Sequence, residues 1–174
     1  MTLPPRLIEA LARRRVTLGF ICGAIVLWLA EPTWRSLAVG ASVAALGEAI
    51  RLWAAGHLEK SREVTRSGPY RWTRHPLYLG SSGLALGVAI AAATLPVAVI
   101  IAVYVGATIP AAMLAEERHL REKFGGAYDA YAASRAGPMV RAFSLTRARV
   151  NREHHTVAGV VIGFALLALK MQLL

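Results

Sequence analysis

Apolar residues fall in five blocks along the chain, and the segments between them carry most of the charge. The blocks cover about 16–30, 37–57, 76–93, 95–115 and 156–174. A helix needs ~20 residues to cross a ~30 Å hydrocarbon core, so the pattern predicts about five membrane helices. Only Thr94 and Leu95-Pro96 separate the third block from the fourth, which predicts a tight hairpin there. Basic residues before the first block resemble the start of a signal peptide. Trp28 and Leu29 stand where a small-residue cleavage site is needed, so the helix is read as retained. Residues 6–15, with Leu7, Ile8 and Leu11 against the arginines, are expected to lie along the interface.

Composition agrees with this pattern. Hydrophobic residues make up 56% of the 174 and charged residues 17%, against ~25% charged in a soluble domain. Mean hydropathy is +0.47. A soluble globule of this size cannot bury that much apolar surface, and a disordered chain does not contain it. The expected class is therefore an all-α polytopic integral membrane protein, one domain over 1–174. The single cysteine excludes a disulfide framework or a cysteine-rich metal site. The net charge of +10 is spread between apolar blocks, which argues against nucleic acid as a partner. Four arginines precede the first block, five Lys/Arg lie in 58–75 and eight in 116–155. By the positive-inside rule, these segments and the N-terminus face the cytoplasm.

Three features exceed what a membrane bundle requires. The first is 67–80, where Gly68-Pro69 signals a turn and Pro76 suits the first position of a helix. This delivers Tyr70, Arg74, His75 and Tyr78 around one helix N-terminus, whose free N–H groups suit an anion. An interfacial aromatic belt would produce a similar composition. The second is Glu116-Glu117, expected at the C-terminal end of the fourth helix and unfavourable there by ~0.3–1 kcal/mol each. The hairpin puts these carboxylates at the membrane level of Tyr70–Tyr78, where both can face one pocket. The third is Glu48 with Arg51 on the second helix, spaced to form a structural ion pair. Intramembrane charge is also a functional candidate, and Arg51 is near enough to the cytoplasmic end to reach the pocket. Leu120, Phe124, Tyr128 and Tyr131 form a stripe read as packing. The basic run Arg141, Arg147, Arg149 and Arg152 is read as meeting anionic headgroups.

Gly68-Pro69-Tyr70-Arg71-x-x-Arg74-His75-Pro76-x-Tyr78-x-Gly80 resembles the signature of the isoprenylcysteine carboxyl methyltransferases and the membrane phospholipid methyltransferases. Arg51-Leu52-Trp53-Ala54 upstream is similar to a block preceding that signature in bacterial members. Glu116-Glu117-x-x-Leu120-x-x-x-Phe124-Gly125-x-x-Tyr128-x-x-Tyr131 is similar to the family's second block. The match covers about 46–140, which would be the methyltransferase core, with 156–174 an added helix.

The resemblance implies an enzyme using S-adenosylmethionine in a cytoplasm-facing pocket, with a lipophilic acceptor entering from the bilayer. Tyr70, His75, Pro76, Leu77, Tyr78 and Glu116 would contact the cofactor, with Arg62 to Thr65 at positions that also line that pocket. Two departures concern the acceptor. Ala112 stands where the isoprenylcysteine enzymes place a substrate-binding arginine, and Arg62 where a histidine is common. A carboxylate acceptor is already ionised at pH 7 and needs a cationic anchor, for which Arg51, Arg74 and Arg62 are candidates. An amine acceptor must be deprotonated, and Glu117 is the candidate base. The expectation is carboxyl O-methylation of an isoprenylcysteine-like or other lipophilic acceptor in an inner-type membrane. Phospholipid N-methylation, a sterol-type nicotinamide-dependent reductase and a non-catalytic scaffold are the alternatives.

Overall fold

A computed structural model describes residues 5–137 and 139–173. The described residues are helical or in loops, with no strand. The helices are α1 (Pro5–Leu29), α2 (Trp34–His57), α3 (Pro76–Ala92), α4 (Leu95–Phe124), α5 (Gly126–Ala132), α6 (Leu145–Val150) and α7 (Glu153–Leu173). A 3-10 turn, Gly68–Arg71, lies between α2 and α3. Three helices, α2, α4 and α7, are long and apolar enough to cross a membrane, and α3 is a shorter apolar helix. Large apolar side chains such as Phe20, Leu46, Val103 and Val161 point outward from the bundle. A soluble protein hides such a surface; a bilayer solvates it.

Local chemistry sets the boundaries. Thr33 and Ser36 form a reciprocal capping box at the start of α2, each hydroxyl accepting the other's backbone N–H, at 3.1 and 2.9 Å. Only Ala93 and Thr94 separate α3 from α4, and Ala93 turns the chain through a left-handed conformation. The expected hairpin is present.

Two boundaries differ from the sequence reading. α1 is one unbroken helix from Pro5, with no break between an interfacial 6–15 and a membrane segment. Arginine is a good helix former, so Arg13–Arg15 give the backbone no reason to stop. α4 continues to Phe124, well beyond residue 115. Glu116-Glu117 therefore lie two turns inside the helix, and its last turn carries Arg121 and Lys123. The expected conflict with the helix dipole does not arise, because that effect is confined to the terminal turn.

Glycines bring α2 and α3 into backbone contact. A Cβ on Gly47 would lie 2.6 Å from the Leu84 nitrogen and 2.7 Å from the Gly80 carbonyl oxygen. One on Gly87 would lie 2.6 Å from the Ala44 nitrogen. The opposite side of the bundle packs α1 on α4. A cluster including Val26, Ala30, Leu37, Ala91, Val97 and Leu167 fills the end near the α3–α4 turn. There Lys170 donates to the carbonyls of Leu27 and Trp28 at 2.8 and 2.6 Å, tying the last helix to the end of the first.

At the other end, Arg147 donates to the Gly56 carbonyl at 2.8 Å and Arg141 to the His57 carbonyl at 3.2 Å. Asn151 donates to the Ala55 and Leu58 carbonyls, both at 2.9 Å. These side chains satisfy the free carbonyls at the end of α2. Arg141 also pairs with Glu63 at 2.7 Å, which holds its guanidinium above its ordinary pKa. Arg141 and Arg147 are thus structural caps, where the sequence reading assigned them to headgroups.

Candidate active site

The loop after α2 folds beneath the bundle on a turn that demands glycine. Gly68 has φ +56°, and a Cβ there would lie 2.5 Å from the His57 ring. His57 is itself buried, with Nδ1 3.2 Å from the Ser67 hydroxyl. The turn places Tyr70 inside the protein, and Pro76 then opens α3 so that Leu77 and Tyr78 face the same space. Glu116 on α4 and Tyr128 and Tyr131 on α5 form the facing wall. Tyr131 donates to the Tyr70 carbonyl at 2.8 Å, joining two segments sixty residues apart. Between them lies a cavity of about 710 Å³, within the range of small-molecule sites.

The structure brings Arg51, Thr65, Tyr70 and Arg74 to this cavity, together with Leu77, Tyr78 and Glu116. Four expected residues are not on its wall. Arg62 extends into solvent, 83% exposed, and its nearest carboxylate is Glu59 at 3.8 Å; Ser61 and Glu63 face the cavity on either side of it. Pro76 is buried behind the wall as the first residue of α3. His75 contacts Glu117 at 3.0 Å, and Glu117 also holds Arg74 at 3.2 Å and Arg121 at 3.7 Å. Glu117 therefore fastens α3 to α4 and is not poised as a base over the cavity. Adjacent residues on a helix point ~100° apart, so only one of the two glutamates can face inward.

Arg51 has a partner that spacing along α2 does not reveal. Its guanidinium makes a two-point contact with Glu153 of α7, at 2.7 and 3.2 Å, while Glu48 stays 3.8 Å away. It also donates to Ser81 and, at 3.3 Å, to Thr156. Arg51 thus joins α2, α3 and α7 at the cavity wall. Both Glu48 oxygens are buried with no hydrogen-bond partner among the described residues. The expected Glu48–Arg51 pair is secondary. Glu153 is the only acidic residue after Asp129, which was the one sequence signal that could have found it.

The stripe read as packing contributes to the wall as well, through Leu120, Tyr128 and Tyr131. Tyr128 is 1% exposed, and its hydroxyl has no partner among the described residues. Burial pushes the Tyr131 phenol up to about 12 and raises Tyr70 and Tyr128 too, with Glu116 and Glu117 adding to the effect at Tyr70 and Tyr128 respectively. The cavity therefore offers neutral aromatic hydroxyls at any ordinary pH. Glu116 faces Tyr78 and has no ion-pair partner among the described residues. Arg15 of α1 reaches the same wall, donating to the Tyr78 hydroxyl at 3.3 Å. Arg13 and Arg15 were not among the expected site residues.

No curated protein and no solved structure matches the chain. A family model described as phospholipid methyltransferase matches residues 15–127, a span that includes the first block, Glu116-Glu117 and the helices that carry them. The chain belongs to the phospholipid methyltransferase family, a family of membrane methyltransferases.

Proposed function

We propose that the cavity binds S-adenosylmethionine and that the protein methylates a lipophilic acceptor at the membrane boundary, most simply by carboxyl O-methylation. One observation carries the reading. Two sequence blocks about forty residues apart enclose a single cavity whose wall includes a carboxylate with no ion-pair partner and a buried hydroxyl with no hydrogen-bond partner among the described residues. Those groups fit a ligand that is both cationic and rich in polar edges. Thr65, Tyr70, Leu77, Tyr78 and Glu116 would hold it, Glu116 facing positive charge and the tyrosines presenting aromatic faces. When bound, the cofactor supplies a methyl group on a sulfonium, which passes to the acceptor oxygen or nitrogen and leaves a neutral thioether. The chain's part is to orient the partners and exclude water, the two contributions that dominate such displacements.

In this reading α1, α2, α3, α4 and α7 all cross a bacterial-type inner membrane, and the cavity opens to the cytoplasm. Residues 1–174 form one domain. The methyltransferase core spans 46–140, within and just beyond the matched 15–127, and α7 completes the cavity through Glu153. Arg74 and Arg51 flank the acceptor's approach.

Phospholipid N-methylation is the second reading, and two observations favour it. Arg51 is already neutralised by Glu153, and the cavity's unpaired carboxylate is Glu116. An amine acceptor would then lose its proton towards Glu116, not Glu117.

Titration calorimetry of purified protein in detergent with S-adenosylmethionine and S-adenosylhomocysteine tests the cofactor assignment. Micromolar binding that weakens in Glu116→Gln is the expected result. Binding of a nicotinamide cofactor instead would favour a reductase, and binding of none of them would remove the enzymatic reading. Mass analysis of a lipid extract incubated with the cofactor then separates methyl esters from methylated amines.

A further inference from the structure

We propose that Arg15 anchors the anionic group of the acceptor, and that the groove between α1 and α7 takes its apolar tail. This rests on the methyltransferase reading above.

The charges on the cavity wall single out Arg15. Arg51 is held by Glu153 at 2.7 Å and Arg74 by Glu117 at 3.2 Å, so neither guanidinium is free for a ligand. Arg15 has no carboxylate partner among the described residues; its guanidinium contacts only the neutral Tyr78 phenol, at 3.3 Å. A second tyrosine fixes its backbone, with Tyr104 donating to the Arg15 carbonyl at 2.9 Å. Arg13 and Lys60 also border the cavity without a carboxylate partner, but neither contacts Tyr78. Ala112 faces the same cavity with no side chain to offer an acceptor.

The second observation is what lies beyond Arg15. Gly19 is one helical turn further along the same face of α1, and it opens a second, apolar cavity of about 420 Å³. Gly23 on α1 and Gly159 and Gly163 on α7 line this groove, and a Cβ on any of these three would meet nothing within 4 Å. Ala85 and Tyr104 border both cavities, so the two lie side by side. A ligand with its charge at Arg15 can lay an apolar tail along this groove. The occupant is an anionic amphiphile of the bilayer: a single charged head, carboxylate or phosphodiester, on one hydrocarbon chain.

Three probes test this in nanodiscs of uncharged lipid: S-farnesylthioacetate, its methyl ester, and lysophosphatidylglycerol. The expected result is that at least one anionic probe binds roughly tenfold tighter than the ester, a difference of about 1.4 kcal/mol. Arg15→Gln should abolish that preference, and Arg15→Lys should keep most of it. Gly159→Leu should weaken all three probes alike. Preference for S-farnesylthioacetate points to a carboxylate acceptor, and preference for lysophosphatidylglycerol to a phospholipid. Retained anion preference in Arg15→Gln, unaltered binding in Gly159→Leu, or no probe binding to the unmodified protein each overturns the proposal. Should Arg15→Gln fail to fold, Arg15→Ala takes its place: loss of the preference there, with Arg13→Gln keeping it, supports the assignment, and retention in Arg15→Ala overturns it. Probe binding without S-adenosylhomocysteine binding would sink the cofactor reading while leaving this site standing.

Discussion

Glycine performs opposite tasks on the two sides of this bundle. Between α2 and α3 it removes every atom that would keep the backbones apart, and Gly47 faces the Leu84 nitrogen and the Gly80 carbonyl directly. Between α1 and α7 it removes atoms without any neighbour moving in, so Gly23, Gly159 and Gly163 border empty space. The first arrangement is the close approach that drives helix association in lipid, where there is no hydrophobic gain from packing. The second creates volume. A small residue in a membrane helix is therefore informative only together with what faces it.

The strongest way to break this contrast is to enlarge one glycine on each side. Gly47→Leu should prevent α2 and α3 from packing and leave little monodisperse protein on size exclusion, since the clash is with immobile backbone and overpacking already costs ~1–3 kcal/mol in tolerant sites. Gly159→Leu should leave thermal unfolding within ~0.5 kcal/mol of the parent while blocking tailed ligands. Equal damage from both would dissolve the distinction.

The next contrast is between two carboxylates around one guanidinium. Glu153→Ala should lower stability by on the order of 3 kcal/mol, because it strands Arg51 in a largely buried site. Glu48→Gln should cost less than ~1 kcal/mol, since that carboxylate makes no hydrogen bond. Thermal melts of both variants in one detergent measure the difference; a reversed order would mean that Glu48 is the true partner. A third pair separates the adjacent glutamates. Glu116→Gln should weaken S-adenosylhomocysteine binding roughly tenfold, the scale of one charge-assisted contact. Glu117→Gln should instead lower the melting temperature and leave ligand affinity closer to that of the parent, by calorimetry and melts on the same samples.

The smallest effect concerns pH. Tyr131 binds its proton more tightly when folded, with a pKa near 12 against an ordinary 10. Its contribution is complete below pH 10 and declines as pH rises towards 12, because the unfolded chain ionises first. The melting temperature should fall over that window, and less steeply in Tyr131→Phe. An identical slope in both proteins would place the titration elsewhere.

Much of the bundle was legible because apolar length and proline–glycine punctuation are local signals. Pro76 and Gly68 stand where the sequence puts them, and the α3–α4 turn needs only the two residues between its helices. Helix ends in charged segments were not legible. Nothing in Glu116–Lys123 breaks a helix, so polarity marked the membrane edge and not the end of α4. The site was visible as two motifs but not as a list of facing side chains. Which glutamate of a pair turns inward depends on helix phase relative to a neighbour. The Arg51–Glu153 contact spans about a hundred residues, and the i,i+3 spacing of Glu48 offered a nearer candidate.

Lys170 gives the bundle an order of completion. It is made well after α1 and seals the carbonyl end of that helix. Glu153, on the same helix, does the corresponding work for Arg51 at the opposite end. A chain halted before residue 153 would loosen α1 and α2 as well as lacking α7. Assembly and the finished cavity therefore depend on the same helix, and quality control that senses a loose α1 would in effect be reading whether α7 is in place.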